Sequence, residues 1–277
     1  MTPKYILYMR NTFLTLSIAL CMVACSPKAD HLTILHTNDT HSQVEPNSHD
    51  QGGYIRRMGL IEAERAKEPN LLLLDAGDFS QGTPYFNFFH GRVEVEAMNK
   101  MGYDVATLGN HEFDNGVDTL AAILKDAQFD IVCANYKLNG CALEGIVKPY
   151  TIIKREGLKI GVFGIGVAPG TLIGEANFAP LEFMPPYPVA QEIASLLKHK
   201  KHCDVVICLS HLGTEGKNNG DYSDIEMAKS TRDIDAIIGG HTHQLYDLHI
   251  PNLDGKEIPV VQMAKSGVYL GKIELKF

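Results

Sequence analysis

The chain has 277 residues, 45% hydrophobic and 21% charged, with 25 Lys and Arg against 33 Asp and Glu for a formal charge of −8. That composition is globular and excludes a disordered or fibrous chain. The acidic balance excludes a protein that wraps nucleic acid, which needs cations against phosphates, and no nucleic-acid partner is expected.

The first segment reads as a leader rather than as fold. MTPKYILYMR carries Lys4 and Arg10 and no acid, NTFLTLSIALCMV is an apolar block too short to span a bilayer comfortably, and Ala24-Cys25-Ser26 follows. A basic start, an apolar stretch and a small residue mark a secretory signal. MVAC resembles a bacterial lipobox, which makes Cys25 the lipidated first residue of the mature chain. The expected organisation is a lipoprotein signal peptide over 1–24, an anchor linker over 25–30 and a catalytic domain over 31–277. A lipid there tethers the protein to the bacterial membrane without spanning it. Ser26 points to the outer membrane, on its periplasmic or surface face. Losing 1–24 removes Lys4 and Arg10 and no acid, so the mature chain is more acidic still.

Past Ala29, strand-like runs alternate with helical patterns. The strand candidates are HLTILHT, NLLLLDA, DVATLG, FDIVCAN, LKIGVFGIGV, CDVVICLS, DIDAIIGG, IPVVQMA and LGKIELKF. Several are apolar throughout, as in strands buried on both faces. The helix candidates are RRMGLIEAERAKE, VEVEAMNKM, VDTLAAILKDA and VAQEIASLLKHKK. This alternation predicts an α/β fold with one large core. SQVEPNSHDQGG, GTLIGEANFAPLEFMPPYP and HLGTEGKNNGDYSD are the long loops. The sequence stops at Phe277, at the end of a strand pattern, and no second domain is expected. Cys133, Cys141, Cys203 and Cys208 are open between free thiols and one disulfide, with Cys133–Cys141 the easiest to close.

The polar clusters fall at strand ends. HLTILHT leads to Asn38-Asp39-Thr40-His41, NLLLLDA to Gly77-Asp78, DVATL to Gly109-Asn110-His111-Glu112-Phe113-Asp114, CDVVICL to Ser210-His211, and DIDAIIGG to His241-Thr242-His243. The carboxyl edge is where α/β sheets bind ligands. Asp39 and His41 are two apart, as are His241 and His243, so in extended backbone each pair faces one side. Asn110 and His111 are adjacent and point apart, which leaves Asn110 for a metal and His111 for another task. Asp39, His41, Asp78, Asn110, His211, His241 and His243 are too many ligands for one ion. They suit two divalent ions of the Zn, Mn, Fe or Co type sharing one carboxylate. Such a pair can hold a bridging hydroxide and clamp phosphate oxygens during in-line displacement. His36 is a candidate outer support for Asp39. His31, His49, His90, His199, His202 and His249 lack a motif and read as solvated or packed.

These motifs, in this order, resemble the calcineurin-like metallophosphoesterase superfamily. HTNDTH, GDFSQGTP and GNHEFDNG are more closely similar to the N-terminal catalytic domain of bacterial 5′-nucleotidases and 2′,3′-cyclic nucleotide phosphodiesterases. The resemblance implies a four-layer α-β-β-α sandwich. It implies that Asp39, His41 and His243 hold one ion, Asn110, His211 and His241 the other, and that Asp78 bridges them. Some nucleotidases of this kind have glutamine where His243 stands. His111 and Asp114 resemble the family's catalytic dyad; the loop must turn into a helix for them to meet, and Asp114-Asn115-Gly116 is a plausible helix start.

The function expected is dimetal hydrolysis of phosphate esters, most of all nucleotides, with His111 protonating the leaving oxygen. The alternatives are a phosphodiesterase, on 2′,3′-cyclic nucleotides for example, or a non-enzymatic envelope binding subunit of a split nucleotidase. Nucleotidases of this kind bind the nucleoside through a C-terminal domain, which a separate chain could supply here.

Overall fold

The computed structural model describes residues 28–215 and 221–277. The leader and Cys25 lie outside the described residues. Two six-stranded sheets dominate. The first runs Gly271–Lys276, His31–Thr37, Leu72–Asp75, Val105–Thr107, Asp130–Val132, Val147–Lys148. All neighbours in it are parallel except Gly271–Lys276, which lies antiparallel to His31–Thr37. The second runs Leu245–Pro251, Glu257–Met263, Ala236–Ile238, Val205–Ser210, Leu158–Ile165, Tyr150–Arg155, with four parallel inner strands and an antiparallel strand at each edge.

The period of two along each strand builds the layers. Ile34, Leu72, Leu74, Val105 and Val132 of the first sheet meet Ile160, Val162, Val205, Ile207 and Leu209 of the second in one core between the sheets. Their neighbours Leu35, Leu73, Ala106 and Ile131 face outward, onto Ile61, Val95, Met98, Leu120 and Leu124. Those residues come from the helices Tyr54–Arg65, Arg92–Met101 and Gly116–Leu124. On the far side, Val206, Cys208, Ile237 and Val260 pack against Ala190, Ala194, Leu197, Met227 and Ala228. The order is therefore helix, sheet, sheet, helix, as expected for the α/β sandwich. Among the described residues no helix is long and apolar enough to cross a membrane.

Two long strands, Tyr150–Arg155 and Leu245–Pro251, escape the sequence pattern because they are sheet edges. An edge strand half open to water carries Lys, Asp and His among its apolar residues, and no apolar run marks it. The helix Asp224–Ser230 also follows directly on a segment read as loop; Ser223 caps it by accepting the Glu226 N–H at 3.3 Å. Cys133, Cys141, Cys203 and Cys208 are all free, and burial pushes the Cys133 thiol up to about 12.

His36 does not support Asp39. It points between the sheets, where its ring would collide with a side chain at Gly271, and its buried Nδ1 has no hydrogen-bond partner. Burial alone pushes its imidazole down to about 3. An unfolded histidine takes a proton near pH 6.5 and this one does not, so acid favours the unfolded chain. His36 alone should therefore cost about 2 kcal/mol between pH 6.5 and pH 5. Urea titrations of the chelator-treated protein and of His36→Leu should differ by this amount, the variant gaining relative to the parent as the pH falls. An unchanged slope in the variant would assign the effect to another group.

Candidate metal centre

Five strands end at one edge of the sandwich. His31–Thr37, Leu72–Asp75 and Val105–Thr107 of the first sheet lead to Asp39 and His41, to Asp78, and to Asn110. Val205–Ser210 and Ala236–Ile238 of the second lead to His211 and to His241 and His243. Pairing continues past the strands: Asp39 N–H donates to Gly77 O at 2.9 Å, His41 N–H to Asp78 O at 3.0 Å and Ser42 N–H to Phe79 O at 3.0 Å.

The extended-backbone reading of the two-apart pairs is corrected here. Asp39 and His41 have φ of 47° and 46°, Asp78 has 53°, and His241 and His243 have 74° and 58°. These residues lie beyond their strands, in left-handed turns that aim the side chains at a common point. A left-handed non-glycine costs on the order of 1–3 kcal/mol, and such strain gathers at functional sites. Glycine is required where the loops touch. A Cβ on Gly109 would lie 2.2 Å from Asp78 Oδ1, and one on Gly77 2.6 Å from the Gly109 nitrogen.

All seven sequence-predicted ligands converge. One ligand atom each from Asp39, His41 and His243 lie within 4.8 Å of one another, and so do those of Asp78, His211 and His241. His41 Nε2 is 2.9 Å from His243 Nε2, and His243 Nε2 is 3.4 Å from Asp39 Oδ1. Asn110 Oδ1 sits 3.0 Å from His241 Nδ1. Asp78 lies between the groups: its atoms also form a set with His41 and His111. Its Oδ1 accepts the His111 N–H at 2.9 Å, and its Oδ2 is 3.1 Å from His211 Nε2.

His211 tests whether cations fit. Its Nδ1 is 2.7 Å from Ala76 O, which holds the Nδ1 proton and turns Nε2 toward the carboxylates. That Nε2 is fully buried and has no partner in hydrogen-bond geometry, although Asp78 is near. Burial pushes the His211 imidazole down, but the charges of Asp78 and Asp39 prevail and lift it to about 10. Burial raises the Asp78 carboxyl, yet His211 beside it holds it below the ordinary range. The centre demands positive charge, and a divalent ion would supply it in place of the Nε2 proton, taking up that nitrogen's lone pair.

His111 and Asp114 also meet. His111–Phe113 form a single 3₁₀ turn, which brings His111 Nδ1 to 3.0 Å from Asp114 Oδ2. The following helix starts at Gly116 with Asn115 before it, so Asp114 is not spent as its cap. Burial lowers the His111 imidazole, but the Asp114 hydrogen bond and the Asp78 charge outweigh it and raise it above the ordinary value.

Glu112 has no role in the sequence reading, because nothing in GNHEFD shows what lies near it in space. It is buried, and its carboxylate accepts three backbone N–H groups: Asp78 at 2.9 Å, Ser80 at 3.0 Å and Gly109 at 2.7 Å. It therefore ties the Asp78 loop to the Asn110 loop. Burial and the Asp78 charge push its carboxyl up, and the backbone N–H groups of Ser80 and Gly109 pull against them. Glu112→Gln sets an NH₂ group against backbone donors, and an unpaired buried donor costs about 1–3 kcal/mol. A drop of about 2 kcal/mol in urea unfolding is expected; an unchanged midpoint would show that these bonds do not hold the loops.

The model of the calcineurin-like phosphoesterase family matches residues 32–245. The chain belongs to this family. Calcineurin-like phosphoesterases use two divalent metal ions, and the Asp and His groups described above could hold them. Among its relatives is a snake venom 5′-nucleotidase of Gloydius brevicauda, 35% identical over 280 residues that cover 89% of this chain and 45% of the relative. Human 5′-nucleotidase is 33% identical over 283 residues, 89% of this chain and 46% of the relative. The solved 5′-nucleotidase precursor of Thermus thermophilus superposes with a TM-score of 0.80 at 33% identity, over 89% of this chain and 51% of that one. The NAD nucleotidase of Haemophilus influenzae gives 0.79 at 30% identity, over 89% and 53%. The chain thus spans about half the length of these relatives.

Proposed function

We propose that this phosphoesterase domain hydrolyses phosphate monoesters of nucleotides, with Asp39, His41 and His243 holding one ion and Asn110, His211 and His241 the other. Asp78 bridges them. The observation that carries the reading is the orphaned, fully buried Nε2 of His211 facing Asp78 within a convergent cluster of these ligands. Two ions held there would activate water and offset charge on the phosphate oxygens. His111 stands beside them, with Asp114 fixing its Nδ1 proton and turning Nε2 toward the leaving oxygen. His41 and His111 lie edge to face, their rings 5.4 Å apart, which keeps the His111 ring beside the first ligand set.

The similarity to 5′-nucleotidases and an NAD nucleotidase supports nucleotides as the substrate class. Because the match spans about half of those relatives, selection of the base is proposed to come from outside residues 28–277, from a further domain or a separate chain. MVAC supports a lipid on Cys25 and an exported, membrane-anchored protein, probed by mass spectrometry of the mature N-terminus.

The test combines metal analysis with a substrate panel of AMP, 2′,3′-cyclic AMP, an aryl phosphate and an aryl diester. Two ions per chain and chelator-sensitive release of phosphate from AMP are expected. In heavy-oxygen water the label should enter phosphate in a single turnover. A phosphorylated residue would overturn direct attack by water, and turnover confined to the diesters would replace the monoester reading.

A further inference from the structure

We propose that Asn38 is a positioning residue that decides which oxygen of Asp39 faces the ions; this rests on the assignment of Asp39 as a ligand. Asn38 is buried at 1% exposure and uses every polar atom of its side chain. Its Nδ2 donates to Asp39 Oδ2 at 2.6 Å and to Ala264 O at 2.8 Å. Its Oδ1 accepts the Met263 N–H at 2.8 Å. Met263 ends the strand Glu257–Met263 of the second sheet, while Asn38 and Asp39 follow the strand His31–Thr37 of the first. One amide therefore ties the two sheets together at the edge that carries the centre.

The consequence falls on Asp39. Its Oδ2 accepts from Asn38 and shares the His241 N–H with Oδ1, both at 3.0 Å. Oδ1 is the atom turned to the imidazoles, 3.4 Å from His243 Nε2, 3.8 Å from His211 Nε2 and 3.9 Å from His41 Nε2. With Oδ2 occupied, the carboxylate offers one oxygen and cannot rotate. The Ser266 N–H donates to Asp39 O at 2.7 Å and pins the backbone but leaves the carboxylate free to turn, so among the described residues the hydrogen bonds that set its plane come from Asn38 and the His241 amide. A carboxylate free to turn would present either oxygen, both, or neither. Partners of this kind, outside the ligands themselves, typically change metal affinity or activity by 10- to 100-fold.

The experiment titrates manganese into the chelator-stripped chain and into Asn38→Ala, with His243→Ala as the reference for losing the Asp39-side ion. In Asn38→Ala one ion should bind about 10- to 100-fold more weakly, as in His243→Ala, while the other stays within about threefold. Activity on AMP should fall at low manganese and recover in excess, which a merely loosened fold would not do. Two ions bound as in the unaltered chain, or both weakened equally, would overturn the proposal. If the unaltered chain itself binds fewer than two ions, the reading of the centre fails rather than the role of Asn38. Should Asn38→Ala not fold, the side-chain amide protons of Asn38 in the unaltered chain decide: they should shift as zinc fills the Asp39-side site, and no shift at two equivalents of zinc would overturn the proposal.

Discussion

Asp78→Asn should bind fewer than two ions and lose kcat/KM by about 10³-fold or more. The residue contributes to both halves of the centre, with Oδ2 at 3.1 Å from His211 Nε2 and a place in the set formed with His41 and His111. The substitution keeps the shape and an acceptor for the His111 N–H, but it removes the charge that two cations would share under the proposed assignment. Paired ions supply several kcal/mol of transition-state stabilisation, and about 4 kcal/mol corresponds to about three powers of ten in rate. Elemental analysis of the purified variant, with steady-state kinetics on AMP, reads both quantities. Two ions retained and activity within tenfold of the parent would show that Asp78 does not bridge.

The second large effect separates chemistry from metal binding. His111→Ala should lower kcat by about 10²- to 10⁴-fold, the usual worth of a positioned proton donor, with both ions still bound. Its Nδ1 is held by Asp114 at 3.0 Å, which orients the ring and leaves Nε2 to carry the proton. Asp114→Asn should cost less, because it leaves the ring in place and disturbs only its proton and orientation. KM should move little in either variant if the loss lies in the chemical step. Loss of an ion from His111→Ala would instead make His111 a ligand, as its membership of the His41 and Asp78 set would allow.

The convergence of the candidate ligands is legible in the sequence for a definite reason. Parallel strands of one sheet all end at the same edge, so any polar cluster that follows an apolar run is delivered there. HLTILHT, NLLLLDA, DVATL, CDVVICL and DIDAIIGG are such runs, and each is followed by a ligand type. The backbone within the clusters is not legible in the same way. Asp and His enter the left-handed region more readily than most residues, but residue type alone does not say which of them do, and the turns at Asp39, His41, His241 and His243 are seen only in the structure. The hydrogen bonds at the Asp39 and His41 turn run to Gly77, Asp78 and Ser266, and the His241 N–H runs to the Asp39 carboxylate, all far away in sequence.

The same distinction applies to the supporting residues. Glu112 sits two places from a ligand and Asn38 one place before another, yet neither partner set is visible along the chain. Glu112 binds the backbone of residues 32 and 34 positions away, and Asn38 that of residues 225 and 226 away. His36 shows the reverse error: it is near Asp39 in sequence, but a strand turns successive side chains to opposite faces, and this one enters the space between the sheets.

By itself, then, the sequence determined the chemistry available and the edge at which it gathers, because hydrophobic patterning sets which strands are buried and where each chain segment leaves the sheet. Only the tertiary structure decided how closely these side chains gather, in overlapping sets that meet at Asp78 and His41, and which oxygen of Asp39 faces the imidazoles. Those choices depend on hydrogen bonds across two separate sheets, and bonds between distant segments exist only once both sheets have packed on their shared apolar core.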